Sequence, residues 1–199
     1  MKITSAEFLK SVGSLADLPR EGLPEIAFAG RSNVGKSSTI NRLLNQRGLA
    51  KVSKTPGRTR TINFFKINGA FYFVDLPGYG YAALPLEVRQ GWGPLIEGYL
   101  TSRRELKATV LILDARHGPG VGDRELKAFL DHHRVPAIVV LTKVDKLPRG
   151  RWRDQARLVW GLLQVAPEDV LLFSAATGEG AKELLAAIGS HLSPPSVLL

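Results

Sequence analysis

The eight residues Gly30-Arg31-Ser32-Asn33-Val34-Gly35-Lys36-Ser37 have the types and spacing needed to grip a phosphate chain. Glycines at both ends of the run let the main chain curl, so that successive N–H groups converge on an anion. The Lys36 ammonium can reach the β- and γ-phosphates, and the Ser37 hydroxyl can ligate Mg²⁺. The same residues could form a Gly-rich turn with a surface lysine, and the flanking sequence argues against that. Glu25 to Ala29 reads as a short buried strand, and Ser38 to Leu44 as the start of a helix. Strand, loop and helix in that order are the context a phosphate-binding P-loop requires.

Four weaker signals follow in chain order. Asp75-Leu76-Pro77-Gly78 closes a strand: Asp75 can hold Mg²⁺ through water, and Gly78 leaves an N–H free for a γ-phosphate. Alone, this pattern is a common turn. Thr142-Lys143-Val144-Asp145 closes another strand. A carboxylate at Asp145 can accept both the ring N–H and the exocyclic amine of guanine, which adenine cannot supply, while the Lys143 stem lies along the base. By itself, this tetrapeptide is more often a plain loop. Phe173-Ser174-Ala175 can offer a backbone N–H to guanine O6, and Thr59 can bring a second hydroxyl to Mg²⁺. Together with the P-loop, these signals point to a guanine nucleotide. An ATPase or small-molecule kinase would not need Thr142 to Asp145.

Positioning these residues takes alternating strands and helices. Ile62–Ile67 and Ala70–Val74 read as a hairpin turned at Asn68-Gly69. Ala108–Leu113, Ala137–Leu141 and Val170–Phe173 read as further strands, with helices starting near Asp123, Arg151 and Gly180. The expected fold is α/β of the P-loop GTPase type: a mostly parallel six-stranded sheet with one antiparallel edge and helices on both faces. Ligands then belong at the C-terminal ends of the strands. The organisation expected is an extension over 1–24 with an edge strand near Phe8–Val12, a nucleotide-binding domain over 25–193 and a tail over 194–199. Residues 47–61 show neither period and read as a mobile loop, of the length that is usually functional or disordered.

Composition narrows the partners. Twenty-seven Lys and Arg against 18 Asp and Glu give a net charge of +9, which favours a polyanion, nucleic acid above all. No cysteine is present, so disulfides and thiolate chemistry are excluded. No apolar leader or membrane span is legible, and the expected location is the cytoplasm. The run Lys146, Arg149, Arg151, Arg153 and Arg157 can contact RNA phosphates or form a solvated helix face, and Arg103, Arg104 and Lys107 make a weaker patch. His117, His132 and His133 lack metal spacing and are expected at the surface, whereas Trp92, Trp152 and Trp160 are expected in the core.

With these motifs in place, the chain resembles the bacterial EngB (YihA/YsxC) family of GTP-binding proteins, in the superfamily of Era, EngA and TrmE. The residues carrying this are Gly30 to Ser38, Thr55 to Thr59, Asn63-Phe64-Phe65, Asp75 to Ala82, Thr142 to Leu147 and Phe173 to Ala175. Tyr79-Gly80-Tyr81 beside Asn63-Phe64-Phe65 singles out EngB among its relatives. The resemblance implies GTP or GDP and Mg²⁺ as ligands, with Ser37, Thr59 and Asp75 around the metal and Lys36, Thr59 and Gly78 as the catalytic groups. It places Ser38, Gly57, Arg58, Arg60 and Thr61 in the nucleotide site as well. It also implies a role in maturation of the large ribosomal subunit, with rRNA as partner, and through that in cell division and septation. A free monomer with no membrane contact is expected.

Many relatives place a water-orienting glutamine after the motif's glycine, whereas this chain has Tyr79. Intrinsic hydrolysis should then be slow, and a partner or a monovalent cation should supply what is missing. Asn33 makes K⁺ the candidate, because in TrmE an asparagine at the matching place helps hold that ion. The other reading of Asn33 is a brace within the loop. The other reading of the whole chain is an rRNA-binding module with structural, unhydrolysed GTP.

Overall fold

The computed structural model describes residues 1–46, 48–50, 61–79 and 93–193. Gly57, Arg58, Thr59 and Arg60, the segment from Gly80 to Trp92, and the tail over 194–199 lie outside them. Strands β1 (Ala6–Val12), β2 (Glu25–Gly30), β3 (Ile62–Ile67), β4 (Phe71–Asp75), β5 (Leu106–Asp114), β6 (Ala137–Thr142) and β7 (Val170–Leu172) form one sheet in the order β1-β3-β4-β2-β5-β6-β7. β3 is antiparallel to both its neighbours, and the remaining pairs are parallel.

The sheet has seven strands where six were expected. The seventh is β1, which pairs along β3 from Ala6 opposite Ile67 to Val12 opposite Ile62. Asn68 in the hairpin turn fastens its start, accepting from Thr4 N at 2.8 Å through its side-chain oxygen. Residues 68 and 69 both have positive φ, as a tight hairpin turn demands. The edge strand at Phe8–Val12 is therefore borne out, as is the mostly parallel sheet with an antiparallel edge.

Five helices lie among the described residues: α1 (Lys36–Leu44), α2 (Gly93–Ser102), α3 (Val121–His132), α4 (Trp152–Leu163) and α5 (Ala181–Leu192). Side chains alternate across each strand, so neighbours along β2 serve opposite faces. Ile26 and Phe28 join Phe73, Ile112 and Val140 under α1 and α5, where Ile40, Leu43, Leu184 and Ile188 complete the layer. Ala27 faces the other side with Phe64, Tyr72, Val74 and Leu76 beneath Tyr99 and Leu100 of α2 and Leu130 of α3. Leu111, Leu113, Val139 and Leu141 pack under Val159 and Leu163 of α4. Each buried Val, Leu, Ile or Phe among them contributes about 1.5–3 kcal/mol, and the resulting rigid sheet fixes the strand ends to which the site is attached.

Two expectations about side chains are corrected. Trp160 is 51% exposed, because the buried stripe of α4 runs through Ala156, Val159 and Leu163 and leaves it one position off. Trp152 does pack against the core, and its indole N–H lies 3.1 Å from Val144 O and 3.2 Å from Leu147 O. Arg103 is no part of a surface patch: its guanidinium turns inward and donates to the buried Glu25 carboxylate at 2.9 and 2.6 Å. Tyr99 donates to the same carboxylate at 2.8 Å, so this charge is fully partnered. His117, His132 and His133 are at the surface as expected. No helix among the described residues is long and apolar enough to cross a membrane.

Candidate functional site

β2 ends at Gly30, wedged against β5 so closely that a methyl group there would sit 2.7 Å from Ile112 O. Its glycine is therefore needed for packing, while Gly35, with φ 106°, is needed for conformation. The first bond inside α1 runs from Thr39 N to Gly35 O at 2.8 Å. The N–H groups of Lys36, Ser37 and Ser38 thus precede the helical ladder, and no acidic side chain occupies the first turn. That leaves a positive helix start suited to phosphate oxygens. Lys36 Nζ pairs with the Asp75 carboxylate at the end of β4, and both side chains are largely buried. Gly78 packs on the P-loop: a side chain there would meet Ser32 Oγ at 2.8 Å.

The loop after β6 is clamped onto the P-loop. Thr142 Oγ1 lies 2.5 Å from Val34 O and 2.9 Å from Leu113 O. Lys143, in the left-handed region at φ 61°, sends its ammonium back to Asn33 O at 2.5 Å and Asp114 Oδ2 at 2.8 Å. Its stem therefore crosses the space between the phosphate loop and Asp145. Ser174 donates to Asp145 Oδ1 at 2.6 Å, and this bond holds the carboxyl below its ordinary range, so it stays anionic. Ser174 N donates to Glu179 O at 3.0 Å, which leaves Ala175 to offer an N–H to a base. Phosphate and base loops, far apart in sequence, form one unit.

The residues matched by the family described as 50S ribosome-binding GTPase run from 25 to 143. A "Probable GTP-binding protein EngB" from Desulforamulus reducens is 48% identical over all of this chain and 98% of its own. The Bacillus subtilis protein of the same name is 48% identical over 94% of this chain and 97% of its own. The chain belongs to the EngB family of GTP-binding proteins. A crystal structure of a probable EngB superposes with TM-score 0.71 at 26% identity, covering 84% of this chain and 98% of that one. Era, in a complex with MgGDPNP and 16S rRNA nucleotides 1506–1542, gives 0.65 at 25%, covering 89% and 59%.

This EngB chain is a P-loop GTPase by fold and family, and its strand ends bring Gly30, Arg31, Ser32, Asn33, Val34, Gly35, Lys36 and Ser37 together with Asp75, Leu76, Pro77 and Gly78. Thr142, Lys143, Val144 and Asp145 join them, with Phe173, Ser174 and Ala175 behind. Mg²⁺ fits the donor set. Ser37 opens α1 beside Lys36, whose ammonium reaches the Asp75 carboxylate, and a hydroxyl and a carboxylate are the oxygen donors that a hard cation takes. No cluster of three or more His, Cys, Asp or Glu gathers among the described residues, so the ion would take its other oxygens from nucleotide and water. Thr61, at the start of β3, is described and half-buried, with its hydroxyl 3.5 Å from Asn63 Oδ1.

Two carboxylates escaped the sequence reading. Asp114, at the end of β5, binds Arg116 through two oxygens at 2.9 and 2.7 Å and anchors Lys143. Burial alone would raise its carboxyl, but these cationic donors outweigh that and hold it well below the usual range. An acid at the end of a long apolar strand was the available signal. Asp123, in the first turn of α3, is fully buried. Tyr79 donates its hydroxyl to Asp123 Oδ1 at 2.8 Å, and burial first, then this carboxylate, pushes the phenol far above its ordinary range. The side chain after Gly78 is thus a neutral donor already engaged elsewhere.

Proposed function

We propose that this chain is a GTP-dependent switch in assembly of the large ribosomal subunit, required through that role for normal division and septation. The observation that carries the nucleotide half of this reading is the clamp of Thr142 and Lys143 onto the P-loop. It presents the start of α1 and Asp145 to a single guanine nucleotide. Lys36 would neutralise phosphate, Ser37 directly and Asp75 through water would hold Mg²⁺ with Thr59 as the expected third ligand, and Gly78 would meet the γ-phosphate. The bound ion would offset charge developing between the β- and γ-phosphates.

RNA is the partner that the charge supports. Arg149, Arg151, Arg153 and Arg157 are all exposed, and Arg153, Arg157 and Trp160 lie four and three residues apart on α4, along one stripe. Cations that meet phosphate beside a ring that can stack on a base suit a single-stranded or loop RNA. The ribosomal particle should bind this chain about 5- to 150-fold more tightly with a non-hydrolysable GTP analogue than with GDP, the range that two-state coupling of about 1–3 kcal/mol gives. Sedimentation of the particle with each nucleotide measures it. Equal binding would leave a plain RNA-binding module.

Intrinsic hydrolysis is slow in this reading, since the Tyr79 hydroxyl is bound to Asp123 rather than placed for a water. K⁺ would supply part of the missing stabilisation. Asn33 sits on the exposed rim of the P-loop, its carbonyl occupied by Lys143, which leaves the side-chain amide oxygen as its donor to a cation. GTP hydrolysis is expected to be faster in potassium chloride than in sodium chloride at matched ionic strength, and Asn33→Gly should abolish the difference. Glycine is the apt replacement because φ is 65° there. Equal native rates in the two salts would remove K⁺ from the mechanism.

A further inference from the structure

Asp123 does more than cap a helix. A cap would use one carboxylate oxygen, and Oδ2 provides it by accepting from Gly120 N at 2.7 Å. The same oxygen lies 2.9 Å from Arg31 Nε as an ion pair, and Oδ1 accepts from Tyr79. Arg31 belongs to the P-loop, and Tyr79 follows Gly78, the glycine expected to meet the γ-phosphate. One buried carboxylate therefore ties together the phosphate loop, the Asp75–Gly78 segment and α3.

The surroundings leave these groups little alternative. A methyl group at Gly122 would stand 3.3 Å from the Tyr79 ring, so the ring lies flush on the first turn of α3. Arg31 Nη2 donates to Gly118 O at 3.2 Å, which fixes the far side of the guanidinium. The backbone agrees with the side chains. Ser32 N donates to Tyr79 O at 3.2 Å and Tyr79 N to Gly30 O at 3.4 Å, as an isolated bridge between Arg31 and Tyr79. Gly78 is thereby pressed against Ser32, with no room for a side chain.

We propose that Asp123 is a positioning residue for the γ-phosphate: by holding Tyr79 and Arg31 it sets the Gly78 peptide where only GTP, not GDP, can use it. The inference rests on the GTP chemistry of the family and not on the ribosomal reading, so it is tested on the isolated chain. Tyr79→Phe removes one oxygen, keeps the ring and leaves the cap and the Arg31 pair in place. Asp123→Ala removes the whole anchor and the cap with it.

The experiment is equilibrium binding of GDP and of a non-hydrolysable GTP analogue, both with Mg²⁺, to the native chain and each variant. The ratio of analogue affinity to GDP affinity is expected to fall about threefold in Tyr79→Phe and about tenfold in Asp123→Ala, with GDP binding unchanged in Tyr79→Phe. Single-turnover hydrolysis should fall in the same order. A merely structural contact would weaken both nucleotides alike. An unchanged ratio in Tyr79→Phe would overturn the proposal even if Asp123→Ala failed to fold, and so would a hydrolysis rate at or above native.

Discussion

Asp145→Asn should turn the site from guanine toward xanthine, with a change in preference of about a hundredfold or more. The Ser174 hydroxyl donates to Asp145 Oδ1, and in the variant the amide oxygen takes that place. The amide nitrogen is then left facing the base. Guanine presents an amine there and xanthine an oxygen, so a clash of donors replaces a bond for one base and the reverse holds for the other. Lys146 lies 3.4 Å from the second carboxylate oxygen and is mostly exposed, so losing that pair costs little. Competition between GDP and XDP decides the matter, and a retained guanine preference would take Asp145 out of the base site. The pH dependence has a definite sign. Because the carboxyl is held below its ordinary range, the anion that guanine needs persists as pH falls through about 4, and base recognition fails only below that.

Lys36→Ala should have an effect of similar size on affinity and a second one on stability. Without the ammonium, the phosphates lose their nearest charge, and nucleotide binding should weaken by about a hundredfold. Asp75 also loses its partner while remaining buried, which costs about 3–5 kcal/mol when one half of such a pair is removed. Adding Asp75→Asn should restore much of the melting temperature and none of the affinity. Thermal unfolding and nucleotide titration of the single and double variants separate the two effects. Ser37→Ala acts by the other route, through the metal. Removing Mg²⁺ should weaken the native chain strongly and this variant little, and an equal loss in both would withdraw Ser37 as a ligand.

Much of the nucleotide site was legible because its parts are local. A P-loop needs a strand, two glycines, a lysine and a hydroxyl within about a dozen residues, and that arrangement is written in one stretch. The other motifs sit at strand ends, and apolar runs such as Val110–Leu113 announce buried parallel strands without any tertiary information. Trp160 was misread: its aromatic character suggested the core, whereas the period of α4 places it off the buried stripe and it is exposed.

What the tertiary structure decided lies in contacts that span long separations. Lys143 reaches Asn33 across 110 residues, and Tyr79 reaches Asp123 across 44. No periodicity links such pairs, because they meet only once the sheet has put β2 between β4 and β5 and set β6 beside β5. The same holds for Arg103, whose charge in sequence suggests a surface and whose buried partner Glu25 lies 78 residues away. β1 is a mixed case: the strand near Phe8–Val12 was legible in the sequence, but its partner and register were decided by β3 and by the Asn68 side chain. The sequence by itself determined the chemistry of each loop. The order of the strands determined which loops could touch, since a side chain can bond only to the donor or acceptor that the sheet carries within its reach.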